Sequence, residues 1–394
     1  MIPRMFLLFA LCTTAAAQLR PVHTFSIVAR DAATGEMGVA VQSHWFSVGS
    51  IVSWAEAGVG AVATQSFVDP SYGSLGLELM RSGKSAPEAL RALLAVDERK
   101  EVRQVAMVDS KGAAVAFTGC KDIQAAGHHV GGEIRVAGGY NMGNQNPKCT
   151  SKYHEGAGYS VQANLMSNEN IWPAMAKAFE SAKGDLAERM LAALDAAQAA
   201  GGDIRGRQSA ALVVVAGKST GKPWVDRVFD LRVDDSPEPL KDLRTLVTLQ
   251  RAYNHMNAGD VATEHKDNEA ALREYAAAEQ LAANNPDIHP TRYAEMLYWH
   301  AVALVNMGRV DESLPLFRKA FALHPAWREL TPRLPKSGLL PDDPKIIEKI
   351  LGQRTTSGLK NLVPTGACRP LAHKKCWGGK GTDATGREVV ICTC

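Results

Sequence analysis

Thr24 heads the stretch "TFSIVARDAATGEMGVAVQS", an alternating run that a turn folds back on itself. A threonine hydroxyl needs a base before it can attack a carbonyl. When threonine is the first residue of a chain, its own α-amine, with a pKa near 8, is that base. One residue then supplies nucleophile and base together. The chemistry requires a liberated amine at Thr24, donors for the oxyanion and polar groups around the amine. Without them Thr24 is a β-branched residue suited to a strand.

Other polar residues fall at the ends of predicted strands. Ser43 closes "MGVAVQS". Asn164 in "SVQAN" is a candidate oxyanion donor, a role worth several kcal/mol when the donor is pre-placed, or else a turn asparagine. In "GRQSAAL", Arg207 and Gln208 directly precede an apolar strand and are candidate substrate contacts. A guanidinium there grips a carboxylate by two prongs, or pairs structurally with Asp31 or Asp234. Asp69 in "FVDPSYG" is a third candidate contact, unless it caps its proline-containing turn. His128 and His129 adjoin a glycine- and asparagine-rich insert, "GGYNMGNQN", where loop histidines titrate near neutrality in solvent.

Searches for other chemistry come back empty. The chain has no GxSxG elbow, no HExxH, no GxxxxGK[ST] loop and no GxGxxG between strand and helix. No metal and no organic cofactor is implied.

The elements that must position these residues follow from periodicity. "TFSIVARD", "MGVAVQS", "GVGAVATQS", "RQVAMVDSKGAAVAFTG", "GYSVQANLM", "SAALVVVAG" and "RVFDLRVDD" read as strands, with Gly35 in the first turn and a hairpin at "DSKG". "SYGSLGLELMRSGKSAPEALRALLAV" reads as helix, glycine break and helix, the second capped by Ser85 with Pro87 in its first turn. "NIWPAMAKAFESAKGDLAERMLAALDAAQAAGG" is strongly helical. Strands, helices, then strands again indicate an α+β fold rather than a regular parallel βαβ sheet.

After "DDSPEPLKDLRTLV" the sequence is all-helical. "NEAALREYAAAEQLAANNP" and "DESLPLFRKAFALHP" place Ala271, Tyr275, Ala278 and Ser313, Phe317, Ala320 at matching positions, with Gly308 in a tight turn. The pattern resembles tetratricopeptide (TPR) repeats and predicts a short helical hairpin array, a docking or packing surface rather than chemistry.

The first residues, "MIPRMFLLFALCTTAAAQ", have the layout of a secretory signal peptide ending at Ala17, which places the mature protein outside the cell or in the periplasm. No later apolar run approaches the roughly 20 residues that span a bilayer. Six cysteines then remain, an even number suited to disulfides. Cys120 and Cys149 bracket residues 121 to 148, and their pairing would restrain that insertion. Cys368, Cys376, Cys392 and Cys394 crowd the end of the chain, where two bridges or a zinc site with His373 are open alternatives. The net charge of +3 argues against a dedicated nucleic-acid binder. From Arg354 onward seven Lys and Arg face two Asp and Glu, so the basic character is local.

"HTFSIVARDAATGEMGVAVQS", "AEAGVGAVATQSFVDPSYGSLGLELM", "GYSVQANLM", "GGDIRGRQSAALVVV" and "VFDLRVDDSPEPLKDLRTL" together resemble the DUF1028 family, grouped with the Ntn (N-terminal nucleophile) hydrolases. The likeness covers nearly all of residues 23 to 250. It implies an αββα sandwich of two stacked antiparallel sheets, and it places Ser43 where Ntn enzymes such as proteasome subunits set a polar partner beside the nucleophile. No lysine in "SIVSWAEAG" matches the proteasome's lysine. In cytosolic members the threonine directly follows the initiator methionine. Here "QLRPVH" stays ahead of Thr24 after signal cleavage, so either the His23–Thr24 bond is cut in a second step or the amine is blocked.

The expected organisation is a signal peptide at 1–17, an Ntn-like α+β domain at 23–238, a small TPR-like helical domain at 239–352 and a basic, cysteine-rich tail at 353–394. The expected activity is hydrolysis of a small amide, peptide or N-acyl substrate, with Thr24, Ser43 and Asn164 catalytic and Arg207, Gln208 and Asp69 holding substrate. The alternative is a non-catalytic binding module that docks partners through its helices.

Overall fold

Period-two alternation in β1 (Thr24–Arg30) and β2 (Met37–Ser43) gives each strand two buried faces, and Gly35, at φ +77°, turns one into the other. A computed structural model describes residues 24–132 and 149–353, and the backbone of 377–382 and 388–393. The expected signal peptide, the "GGYNMGNQN" insert, and Cys368, Cys376, Cys394 and the side chain of Cys392 lie outside the described residues.

The chain divides between His289 and Pro290 into two compact units. The first contains two antiparallel sheets. One has six strands in the order β11 (Arg227–Val233), β10 (Ser209–Val215), β2, β1, β9 (Tyr159–Ala163) and β7 (Gly127–Val130). The other has five, in the order β3 (Ser53–Glu56), β4 (Gly60–Ser66), β5 (Arg103–Asp109), β6 (Ala113–Thr118) and β8 (Lys152–Ala157).

Three apolar layers stack these sheets between helices. Phe25, Ile27 and Leu212 on the outer face of the first sheet pack under α4 (Ile171–Ser181) and α5 (Leu186–Ala199) through Met175, Phe179, Leu191 and Leu194. Val28, Val39 and Val41 meet Ala61, Ala63, Ala106 and Val108 between the sheets. Val62, Val105, Met107 and Phe117 on the far face of the second sheet meet Tyr72 and Leu77 of α2 (Ser71–Arg81) and Leu90 and Leu94 of α3 (Ala86–Val96). A Cβ at Gly73 would fall 2.3 Å from the Trp54 ring, so only glycine lets α2 sit this close to β3. Ser85 caps α3 in a full capping box with Glu88. The one-turn helices α1 (Gly49–Val52) and α6 (Pro223–Asp226) lie in connections.

The helical region expected to begin at 239 is split by the unit boundary. Helices α7 (Pro239–Glu264) and α8 (Asn268–Asn284) belong to the first unit. There Leu243 and Val247 of α7 join the layer under α4 and α5, so this helix completes the core of the sheets. The second unit holds α9 (Pro290–Asn306), α10 (Val310–Leu323), α11 (Ala326–Leu330) and α12 (Pro344–Leu351), packed around Tyr298, Phe317 and Phe321. Ala271, Tyr275 and Ala278 in α8 and Ser313, Phe317 and Ala320 in α10 are all buried. The strands β12 (Trp377–Thr382) and β13 (Glu388–Thr393) pair antiparallel. No described helix is long and apolar enough to cross a membrane.

Candidate active site at the head of β1

Antiparallel pairing brings the start of β1, β5 and β10 to the same end of the sheets as the finish of β2, β4 and β9. At that end the space between the sheets changes from apolar to polar. Thr24, Ser26, Gln65, Gln104, Thr118, Gln162 and Asn164 are all buried there. They satisfy one another, as buried polar groups must. Ser26 Oγ donates to Gln65 Oε1 at 2.7 Å and accepts from Gln162 Nε2 at 2.6 Å. Within the second sheet, Gln65 Nε2 donates to Gln104 Oε1 of the neighbouring strand at 2.7 Å, and Gln104 Nε2 to Thr118 Oγ1 at 2.9 Å.

Thr24 sits at the end of this network, fully buried. It lies opposite Ser43 in register, and its Oγ1 donates to Ser43 Oγ at 3.1 Å. Its carbonyl oxygen accepts from two sides, Gln65 Nε2 at 3.1 Å and the backbone N–H of Asn164 at 3.1 Å. The Asn164 side chain donates to Gln104 Oε1 at 2.9 Å. Thr24, Ser43 and Asn164 therefore come together, although the first and last of them are 140 positions apart in the sequence.

The three expected substrate contacts are engaged elsewhere. Arg207 is exposed and pairs with Glu238, not with Asp31 or Asp234. Asp31 is taken by Arg189 at 3.0 Å. Gln208 sends its N–H to the Ser43 carbonyl at 3.1 Å, but its side chain turns to Asp235. Asp69 does the work of a cap, accepting from the Ser71 N–H at 3.0 Å, and its other oxygen lies 3.4 Å from Arg103. His128 is corrected from a solvated loop residue to a buried strand residue. Its Nδ1 meets Thr118 Oγ1 at 2.7 Å and its Nε2 meets His154 Nδ1 at 2.9 Å. Burial, with the neighbouring His154, pushes its pKa down to about 3, so it is neutral at physiological pH.

Sequence reasoning missed Asp122. It is buried and accepts from Ser66 Oγ at 2.8 Å, while its second oxygen has no partner among the described residues. Burial pushes the carboxyl up to about 7, only partly offset by the Ser66 hydrogen bond and by Arg103. Its position is tied to Thr24 through both sheets. Ser66 follows Gln65, and Leu165, which follows Asn164, donates its N–H to the Ile123 carbonyl at 2.9 Å. Ser66 and Leu165 both take left-handed backbone conformations, at φ +69° and +54°, which cost non-glycine residues roughly 1 kcal/mol or more. The one available signal was the recurrence of glutamine at the ends of apolar strands, in "VAVQS", "VATQS" and "SVQAN".

Two loops close the same end. Asp203 accepts the His44 N–H at 3.2 Å and holds Arg205 through Nη2 at 2.7 Å. Cys120 and Cys149 form a disulfide beside Asp122. Among the described residues no group of three or more His, Cys, Asp or Glu is placed to hold a metal ion.

The sequence model of DUF1028, a family of unknown function, matches residues 24–152 and 140–243. A comparison with curated proteins finds no match. Among solved structures, a DUF1028 protein from Silicibacter pomeroyi is 27% identical, with 57% of this chain and 84% of that chain covered and a TM-score of 0.46.

Proposed function

The chain belongs to DUF1028, a family of unknown function, and on that premise we propose that it is an Ntn-type amidohydrolase with Thr24 as its nucleophile. The single observation that carries the reading is the placement of Thr24, its hydroxyl on Ser43 and its carbonyl held by Gln65 and Asn164, at the polar end of two stacked sheets. A nucleophile held from three sides is pre-positioned for attack.

Once the bond before Thr24 is cut, its α-amine takes the proton from Oγ1 while Oγ1 bonds the substrate carbonyl carbon. The oxyanion is received by the Asn164 amide and backbone N–H groups. The carbon–nitrogen bond then breaks, and the leaving amine takes the proton from the α-ammonium. Water hydrolyses the resulting ester and returns the hydroxyl. The substrate is a small amide, peptide or N-acyl compound met outside the cytosol. The TPR-like helices serve protein partners.

A binding module without catalysis is the second reading, favoured by the six residues "QLRPVH" that precede Thr24 after the expected signal cleavage. N-terminal sequencing of the exported protein, paired with an amide-hydrolysis screen, decides between them. Thr24 as first residue, and activity lost in Thr24→Ala, is the expected result. Gln18 as first residue of a folded chain with no hydrolysis favours the binding module.

A further inference from the structure

Large apolar side chains are exposed at nine described positions, and three of them lie on the connections that leave the strand ends around Thr24. Ile123 is 37% exposed, Ile204 65% and Phe46 64%. The backbone links them to the site. The Leu165 N–H donates to the Ile123 carbonyl at 2.9 Å, and the Ile204 N–H to the Leu165 carbonyl at 3.4 Å, so residues 123, 165 and 204 form a short ribbon across the strand ends. Leu165 follows Asn164, which bonds the Thr24 carbonyl. Asp203, just before Ile204, holds the N–H of His44, and His44 follows Ser43, the partner of the Thr24 hydroxyl. Phe46 is two residues further on.

Two independent costs accumulate here. Exposed isoleucine and phenylalanine side chains forgo burial, and backbone strain is concentrated beside them. Four non-glycine residues among those described have left-handed φ, and three of them, Ser47, Ser66 and Leu165, lie at or just beyond the ends of β2, β4 and β9. Ser47 adjoins Phe46, and Leu165 lies between Ile123 and Ile204 in the ribbon. Strain of this kind persists where the surroundings impose it, and it gathers at ligand clamps. The nearby cations do not offset the apolar character, because Arg205 is paired with Asp203 and Arg207 with Glu238. An apolar rim around a few convergent polar groups is the composition of a small-molecule site.

We propose that Ile123, Ile204 and Phe46 seat an apolar group of leucine or phenylalanine size, carried next to the scissile bond of the amide substrate. The inference rests on Thr24 marking the reacting centre, and it selects apolar amides over charged or purely polar ones.

The test measures binding apart from turnover. Full-length Thr24→Ala protein is titrated calorimetrically with N-phenylacetyl-alaninamide and with N-acetyl-alaninamide. The phenylacetyl compound binds about tenfold more tightly, the scale expected when an apolar seat is filled. Adding Phe46→Ser and Ile204→Ser removes that preference without lowering the melting temperature, and Phe46→Ser alone reduces it should the combined variant melt early. Equal binding of the two compounds, a preference that survives in the serine variants, or serine variants that alter self-association and leave ligand binding unchanged would each overturn the inference. Preference without hydrolysis by the Thr24 chain retains the seat and removes the nucleophile. Hydrolysis indifferent to the apolar group retains the nucleophile and removes the seat.

Discussion

Gln65 reaches from the second sheet to the first and donates its side-chain amide to the carbonyl oxygen of Thr24 at 3.1 Å. The same amide nitrogen holds Gln104, and its oxygen accepts from Ser26, so one side chain couples the two sheets at the site. Replacing Gln65 with methionine keeps the volume but leaves Ser26 Oγ and the Thr24 carbonyl each short of a partner. A loss of about 2–4 kcal/mol is expected, read as a lower urea midpoint.

Asp122 gives the protein a particular response to pH. Its carboxyl ionises at about 7 when folded, against an ordinary value of 3.8. Between those values the native chain holds a proton that the unfolded chain has lost. This group therefore makes stability fall as pH rises from about 4 to about 7, and it adds no further slope above that. The difference is on the order of 4 kcal/mol. Asp122→Asn should remove this component, so the stability of the variant relative to wild type rises across the same interval. Parallel denaturation curves at pH 4, 5.5 and 8 check it.

The Cys120–Cys149 bridge closes a loop with a sequence separation of 29. Loop-closure entropy assigns it about 3–4 kcal/mol. Reduction, or replacement of both cysteines by alanine, should lower the melting temperature by the corresponding amount, measured with and without a reducing agent.

Arg207→Ala should do little. The guanidinium pairs with Glu238 in solvent, and exposed pairs of this kind contribute less than about 1 kcal/mol. A substrate-dependent rise in KM much larger than the stability change would restore Arg207 as a substrate contact.

What could be read from the sequence depended on how local its cause was. The strands from Thr24 to Arg30, Met37 to Ser43 and Ser209 to Val215 were legible because alternation is a property of neighbouring residues. The Ser85 cap was legible for the same reason, since its partner Glu88 is three residues away. Ser43 and Asn164 were reached as strand-end polar residues, and register then brings both to Thr24. Asp122 was not legible, because its partner Ser66 lies 56 residues earlier and the burial that raises its pKa exists only in the folded chain. Arg207 found Glu238 rather than Asp31 because it precedes β10 at the Thr24 end of the sheet, whereas Asp31 follows the far end of β1. His128 sits in a four-residue strand, too short to show alternation, and so it reads as loop. The two prolines of "DDSPEPLKDLRTLV" read as an exit from the sheets, whereas Leu243 and Val247 of the helix that follows are bound into the sheets' own core.

The bridge at Cys120 and Cys149 reaches beyond its own stabilisation. Asp122 and Ile123 lie inside the ring it closes, two and three residues from its first sulfur. A single covalent link thus anchors both a titrating carboxyl and one wall of the apolar rim. The same polypeptide kept with both thiols reduced would retain its fold around the sheets yet hold those two groups on a slack tether, so one redox event sets the rigidity of both at once.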